Sequence, residues 1–373
     1  MRACASLPAL TGNLGKPGAG FLYLNADLAQ RGIDEAYLTA PQLLSGAVPA
    51  ISHMDLVETL EDCRRSRAFF VWNMNPLASC PQQTRLRRAL QREDLFTVAL
   101  DLFPTDTTAM ADYVLPAASF LEFDDLVASY FHLTLSAQTK CMEPLGEALP
   151  NQEIFRRLAR AMQFTDREFE ESDAQMLATI LARSGLGETF STLSAKGSRW
   201  IPDTPRVQFA ELLFETPSGR IEIASERAEA DGLPRLPSPL CDPRPAAGLL
   251  RLLSPAHPWL LNTTFGNVAR IERRLGEATI SLHPLDAAER HLRDGQAAQV
   301  YNECGRLRLR VAISDDLPRG VALAHKGRWL AEAGGNVNVL NAGRKTDMGQ
   351  SSAVHSVEVR VEPAPDAGAR VAG

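Results

Sequence analysis

The run FFVWNMNPLASCPQQTRLRRALQREDLFTVALDLFPTDTTAMADYVLP, residues 69–116, constrains the fold more than any other part of the chain. Arg67 to Trp72 reads as a short apolar strand and Leu95 to Leu100 as a second. Between them, Pro81 in a first-turn position starts a helix through QQTRLRRALQRE. Two strands joined by a helix within about thirty residues form a βαβ unit, with parallel strands and a right-handed crossover. A buried strand or turn follows at DYVLP. Open sheets of this kind bind ligands beyond the carboxyl ends of their strands. The loops leaving those ends carry Asn73, Asn75 and Ser79, then Asp101, Thr105, Asp106 and Thr107. Such a set offers the donors and acceptors that a purine or ribose needs and is poorly suited to catalysis. Asn and Pro also form ordinary turns, and Thr105 and Asp106 can simply cap the short helix TTAMAD.

Upstream, TGNLGKPGAG packs four glycines and a proline into a tight, backbone-exposed loop entered from the end of a helix. It is not a P-loop, because Lys16 is followed by Pro17 and the spacing is wrong. Residues 54–65 have helical apolar spacing, as does NQEIFRRLARAM with Ile154, Phe155, Leu158 and Met162 on one face. Ser172 to Ser184 gives a further helix, and TPSGRIEI reads as a turn feeding a strand. Residues 233–248, LPRLPSPLCDPRPAAG, have the composition of a linker. From Leu249 onward short strands alternate with turns, and Leu307, Leu309 and Val311 interleave with Arg306, Arg308 and Arg310 as in a half-buried strand. This part is mostly β and suits a small barrel. Its loops include HPWLLN, followed by Thr263, Thr264 and Asn267, and GGNVNVLN near 334–341.

With 373 residues the chain is long enough for two or three well-buried domains. A net charge of −6 gives no global argument for nucleic acid or an anionic membrane as partner. Cys4, Cys63, Cys80, Cys141, Cys241 and Cys304 are scattered without C-x₂-C spacing, which excludes a zinc ribbon or ferredoxin-type cluster and leaves buried, inert thiols as the expectation. No apolar run approaches the ~18 residues of a membrane span, and the start has no signal-peptide h-region, so a cytoplasmic location is expected. The acidic EFDD at 122–125 reads as a solvated turn, and no catalytic constellation stands out.

Taken together, ALTGNLGKPGAG, VWNMNP, DLFPTDTTAMADYVLPAASFLE, TPSGRIE, LLSPAHPWLLNTTFGN, ISLHPLDAAERHLRDGQAAQVYNECGRLRLRV and GGNVNVLN resemble the molybdopterin-dinucleotide oxidoreductases, the family of formate dehydrogenases, dimethyl sulfoxide reductase and periplasmic nitrate reductases. The resemblance implies an α/β plus mostly-β architecture, a Rossmann-like parallel-sheet domain followed by a double-psi β-barrel. The implied parts are an α/β oxidoreductase domain over 1–205, a strand and linker over 206–248, the dinucleotide-binding barrel over 249–364 and a flexible tail over 365–373. It further implies molybdopterin guanine dinucleotide, carrying molybdenum or tungsten, as the cofactor. Position by position, Asn73, Asn75 and Pro76, with Ser79 beside them, match the family's nucleotide loop. Asp101, Phe103, Thr105 and Asp112 match the second nucleotide loop. His257, Asn262 and Thr263 match the first cofactor loop of the barrel, and Asn338 its asparagine near the pterin.

The chain departs from the family chiefly by omission, for it resembles roughly the second half. The iron–sulfur segment with spaced cysteines and the lobe that ligates the metal have no counterpart here, and GQSSAVH at 349–355 departs from a glycine-bearing loop. The expectation is that the polypeptide does not turn over a small-molecule redox substrate alone. It needs a missing N-terminal half or a complementary subunit carrying an iron–sulfur cluster, and any export signal would lie in that part. Two other readings stay open: a non-catalytic subunit of the same fold, as in the iron–sulfur subunit of respiratory complex I, and a stand-alone nucleotide-binding module. Keeping the NP loop, Asp101 and Asn338 favours the enzyme over the first, and the attached barrel argues against the second.

Overall fold

The computed structural model describes residues 2–21, 32–44, 46, 49–201, 207–238, 243–331, 335–347 and 349–365. Two compact units divide the chain: Met1–Ala47 with Ala118–Asp242, and Val48–Ala117 with Pro243–Gly373. The second unit is thus built from two separate stretches of sequence, with the candidate nucleotide loops in one and the barrel in the other.

The first stretch of this unit forms a three-stranded parallel sheet of β1 (Ala68–Trp72), β2 (Phe96–Asp101) and β3 (Tyr113–Pro116), in that order. Phe70 is level with Val98, and Val98 with Tyr113. The helices Leu56–Glu61 and Gln83–Leu90 pack Val57, Leu60, Leu86 and Ala89 with Leu77 and Leu95 into one core, which Phe69 joins from β1. Burying each such leucine contributes roughly 1.5–3 kcal/mol. The expected helix start is corrected: Pro81 lies outside the helix, which begins at Gln83 after Gln82 turns the chain in the left-handed region at φ 55°. The proline in the first-turn position is instead Pro76, opening the short helix Pro76–Ser79. DYVLP forms a strand, but not a buried one: Tyr113 is 63% and Val114 47% exposed.

In the other unit β4 (Asp125–Ala128), β5 (Thr134–Gln138) and β6 (Ser198–Trp200) form an antiparallel sheet. Leu135 packs with Ile180, Leu181, Leu193 and Ile33 in its core. Ser172 and Gln175 make a capping box at the start of the helix Asp173–Arg183. The glycine loop follows the helix Arg2–Leu10, and at Gly15 (φ 68°) an added Cβ would come within 2.9 Å of the Phe209 carbonyl oxygen. Three expectations fail here. Met162 ends the helix Asn151–Ala161 exposed to solvent, and Ala159 takes the buried place. TPSGRIEI makes its turn but no strand. Glu122 of EFDD is buried, its two oxygens accepting the Ser119 N–H at 2.6 Å and the Leu145 N–H at 2.9 Å, so it staples two loops together.

The later strands β7 (Leu250–Leu253), β8 (Thr279–Leu282), β9 (Ala297–Asn302), β10 (Gly305–Ile313), β11 (Val321–Leu323) and β12 (Val357–Pro363) close into a barrel in the order β10-β8-β11-β7-β12-β9. The β10–β8 and β11–β7 pairs are parallel, and the others antiparallel. Period-two patterning explains the closure: Leu250, Leu252, Ile280, Leu282, Val300 and Val311 point inward and are buried, while Arg306, Arg308 and Arg310 face out. Of the described cysteines only Cys80 is buried, and burial pushes its thiol up to about 11. Cys4, Cys63 and Cys141 are exposed and Cys304 half-buried, which corrects the expectation of buried thiols. Cys241, Gly334, part of the linker and nearly all of the tail lie outside the described residues.

Candidate functional site

At the end of β1, Asn73 adopts the left-handed conformation (φ 52°), which asparagine tolerates better than most residues. Its N–H points to the Leu100 carbonyl at 3.4 Å and turns the chain across the end of β2. Asn75 precedes the helix Pro76–Ser79 and is buried. Its Oδ1 accepts the Thr107 hydroxyl at 2.6 Å, and that hydroxyl accepts the Leu77 N–H at 3.1 Å. The Asn75 Nδ2 is buried without a hydrogen-bond partner. Ser79 is exposed, its hydroxyl donating to the Asn75 carbonyl at 2.9 Å.

Asp101 stands at the carboxyl end of β2, level with this loop. Its Oδ1 accepts the N–H groups of Leu102 (2.7 Å) and Phe103 (3.4 Å), and partial burial pushes its carboxyl above the ordinary range. Phe103 is 52% exposed beside it. Thr105 is buried, its Oγ1 accepting the Thr108 N–H at 3.1 Å where the turn Thr108–Met110 begins. Asp106 does something else: its carboxylate accepts the Leu330 N–H at 2.7 Å and the Ala331 N–H at 3.2 Å, tying the loop to the barrel. Asp112 is not brought together with the rest. Its carboxylate accepts the Thr97 N–H at 2.7 Å at the amino end of β2, the edge opposite Asp101, where it joins the strand starts.

On the barrel side, His257 accepts the Trp259 N–H on Nδ1 at 3.2 Å, which leaves Nε2 as the protonated nitrogen of the neutral ring. Its ring meets that of His325 edge-on with centroids 5.0 Å apart. Burial, then His325 and Arg328, hold the His257 pKa below its ordinary value. Asn262 is exposed in the left-handed region (φ 54°), and its carbonyl lies 2.2 Å from where a Cβ on Gly327 would sit. The Thr263 carbonyl accepts the Trp329 indole N–H at 2.9 Å. Asn338 lies directly on the NP loop, its amide donating to the carbonyls of Ala78 (3.2 Å) and Ser79 (3.3 Å).

Thus Asn75, Pro76, Ser79 and Asn338 form one cluster, with Asp101 and Phe103 at the neighbouring strand end. His257, Asn262 and Thr263 sit on a separate barrel loop. Residues 328–331 connect the two, since Trp329 holds Thr263, the next two backbone N–H groups hold Asp106, and the Arg328 carbonyl accepts from Asn336. Asn336 is buried and also donates to the Ala78 carbonyl at 2.6 Å. The Gln82 side-chain amide donates a further hydrogen bond to the Ala342 carbonyl at 2.7 Å. The sequence reading missed Asn336, Gln82 and His325. Asn336 carried a signal, since it stands two residues before Asn338 in GGNVNVLN, while Gln82 and His325 lie in no recognisable motif. The arrangement presents hydrogen-bonding groups along a strand edge, with no nucleophile–base pair. Among the described residues no group of His, Cys, Asp or Glu is arranged to hold a metal.

Residues 1–161 match the family model described as molybdopterin oxidoreductase, and residues 250–358 that of the molydopterin dinucleotide binding domain. The chain is 33% identical over 371 residues to a probable oxidoreductase, YoaE, of Bacillus subtilis (strain 168), spanning 97% of this chain and 54% of YoaE. It is 26% identical over 386 residues to a putative catalytic subunit of dimethyl sulfoxide reductase from Halobacterium salinarum, covering 97% of this chain and 45% of that one. The chain spans about half the length of the curated relatives it matches. Among solved structures, acetylene hydratase from Pelobacter acetylenicus superposes with a TM-score of 0.72 at 19% identity, over 84% of this chain and 46% of that one, a likeness of fold.

Proposed function

The chain belongs to the molybdopterin oxidoreductase family, and on that footing we propose that its second unit holds the guanine nucleotide end of a molybdopterin guanine dinucleotide. In this reading Asn73, Asn75, Pro76, Ser79, Asp101, Phe103 and Thr105 bind the nucleotide at the strand edge. His257, Asn262, Thr263 and Asn338 contact the cofactor from the barrel. Asp112, fastened at the opposite edge of the sheet, has no part in it.

The observation that carries the proposal is the unpartnered Asn75 Nδ2, a buried donor at the mouth of the parallel sheet. A buried donor without an acceptor is destabilising by about 1–3 kcal/mol, and a ligand oxygen there removes the penalty. The donor set beside it agrees. Asp101 engages only one carboxylate oxygen with backbone N–H groups. Guanine presents N1–H and N2–H side by side to a carboxylate, whereas adenine offers no N1–H, so Asp101 favours guanine. Phe103 supplies an exposed aromatic face against which a base can lie. Parallel pairing at β10–β8 and β11–β7 within the closed barrel supports the double-psi form.

When bound, the cofactor supplies the redox chemistry through its molybdenum or tungsten, and the protein supplies binding, orientation and exclusion of water. The chain's coverage of about half of its relatives supports a further part of the proposal. Turnover of a small-molecule redox substrate also calls on the half that those relatives carry, supplied as a segment or subunit with an iron–sulfur cluster and the metal ligand.

The test is metal analysis with pterin fluorescence on the purified protein, alone and co-produced with the complementary half of a relative. Molybdenum or tungsten stoichiometric with pterin in the complex is expected. A complex that carries neither removes the cofactor reading.

A further inference from the structure

We propose that the second unit carries another binding site, for an organic anion with a phosphate- or sulfate-type head group, in the cleft between the helix Ala269–Leu275 and strand β10. The cleft measures about 990 Å³, the upper end of the range for small-molecule sites. No residue proposed for the dinucleotide lines it.

Its charge is the first argument. Four arginines (Arg273, Arg308, Arg310 and Arg328) face two glutamates (Glu272 and Glu277). Arg310 is neutralised by Glu277, with Nη2 3.2 Å from Oε1 and a second bond through Nε. Arg328 donates to the carbonyls of Leu275 (2.9 Å) and Gly276 (2.7 Å), which anchors a full positive charge at the carboxyl end of the helix. Arg273 and Arg308 have no hydrogen-bond or ion-pair partner among the described residues, and of the two glutamates that line the cleft Glu277 is taken by Arg310.

Geometry is the second. The strand period sends Arg308 outward beside Arg310, toward the helix that carries Arg273. Ala278, Ala297 and Leu309 give the cleft an apolar floor, and Trp329 is fixed in its wall by the indole bond to Thr263. A guanidinium binds a tetrahedral oxyanion through two parallel N–H bonds, and two converging forks select such a head group over a single carboxylate. The apolar floor takes the organic body. The same wall continues into a smaller chamber of about 40 Å³, which shares Glu277, Leu309 and Arg328 with the cleft and is lined by His257 and His325.

Inorganic pyrophosphate is the probe, titrated into the purified protein by calorimetry at low ionic strength. Binding is expected, weakened roughly tenfold by Arg273→Ala and by Arg308→Ala, in line with the loss of a charge-assisted hydrogen bond. Arg308→Lys is expected to fall between, because it keeps the charge without the fork. Absence of binding, or binding that survives the double arginine-to-alanine variant, overturns the proposal. So does binding that the arginine variants leave intact and GDP displaces, which would assign the anion to the dinucleotide edge. Both arginines are exposed, and unchanged melting temperatures keep each outcome interpretable.

Discussion

Asp101 and Asn75 differ in how they reach the ligand edge, and the difference sets what each substitution does. Asp101 keeps one oxygen for a ligand and is half-buried, so its charge is under-solvated until a donor arrives. Asp101→Asn is expected to weaken GDP binding roughly tenfold while leaving ADP unaffected, measured by calorimetry, because the amide cannot accept both guanine donors. Asn75 is held by Thr107, so the side chain is aimed before any ligand binds. Thr107→Val breaks that bond and also strips the Leu77 N–H of its acceptor. It is expected to destabilise the protein by about 1–3 kcal/mol in denaturant titration and to weaken GDP binding as well. The asparagines, Ser79 and Asp101 were legible as a polar strand edge because type and position along a strand suffice for that. That Asp112 is spent on Thr97 was not legible, because an aspartate in ADYVLP reads the same whichever end of a neighbouring strand it faces.

Elements were readable where one period or one capping signal governs them. β10 follows its Leu–Arg alternation, and the helix Asp173–Arg183 follows its Ser172 cap. Reading failed where a single backbone angle decided: Gln82 in the left-handed region, not Pro81, sets the start of the helix Gln83–Leu90. Gly327 works in the same way, with φ 109° and the Asn262 carbonyl crowding the place of a side chain. Gly327→Ala is therefore expected to lower the melting temperature and to shift the Asn262 loop, seen as a changed proteolysis pattern. In the other unit, Glu188 is nearly inaccessible and paired with Lys196 and Arg199. Bonds from Lys196, then Thr192 and Arg199, hold its pKa down to about 2, against an ordinary 4.5. A depressed carboxyl stabilises the fold fully above its unfolded pKa, and the contribution is lost as pH falls through the folded one. Wild type is thus expected to exceed Glu188→Gln in stability at pH 6, with the gap closing between roughly pH 4.5 and 2 in acid titration.

At the scale of the molecule, the second unit is assembled from residues 48–117 and the barrel, which 118–242 separate in sequence. Asp106 and Asn336 clamp the two pieces, one by accepting backbone N–H groups of the barrel loop, the other by donating to the Ala78 carbonyl. The double variant Asp106→Ala, Asn336→Ala is expected to split a single thermal transition of this unit into two, read by calorimetry. Persistence of one transition would show that the remaining bonds from Asn338 and Gln82, together with apolar packing, suffice to couple the pieces. Residue order alone specifies the parallel βαβ unit, the alternating barrel strands and the polar strand edge, because each depends on periodicity and residue type within a few tens of residues. Which loops meet is settled in three dimensions. Asn338 lies on the NP loop, Asp106 turns to the barrel, and Arg273 and Arg308 share a cleft, through contacts between residues far apart in the chain. Hydrogen bonds and charge pairs act over a few ångströms of space and carry no trace in local sequence pattern. Composition can therefore supply the groups of a site, but packing must choose among them.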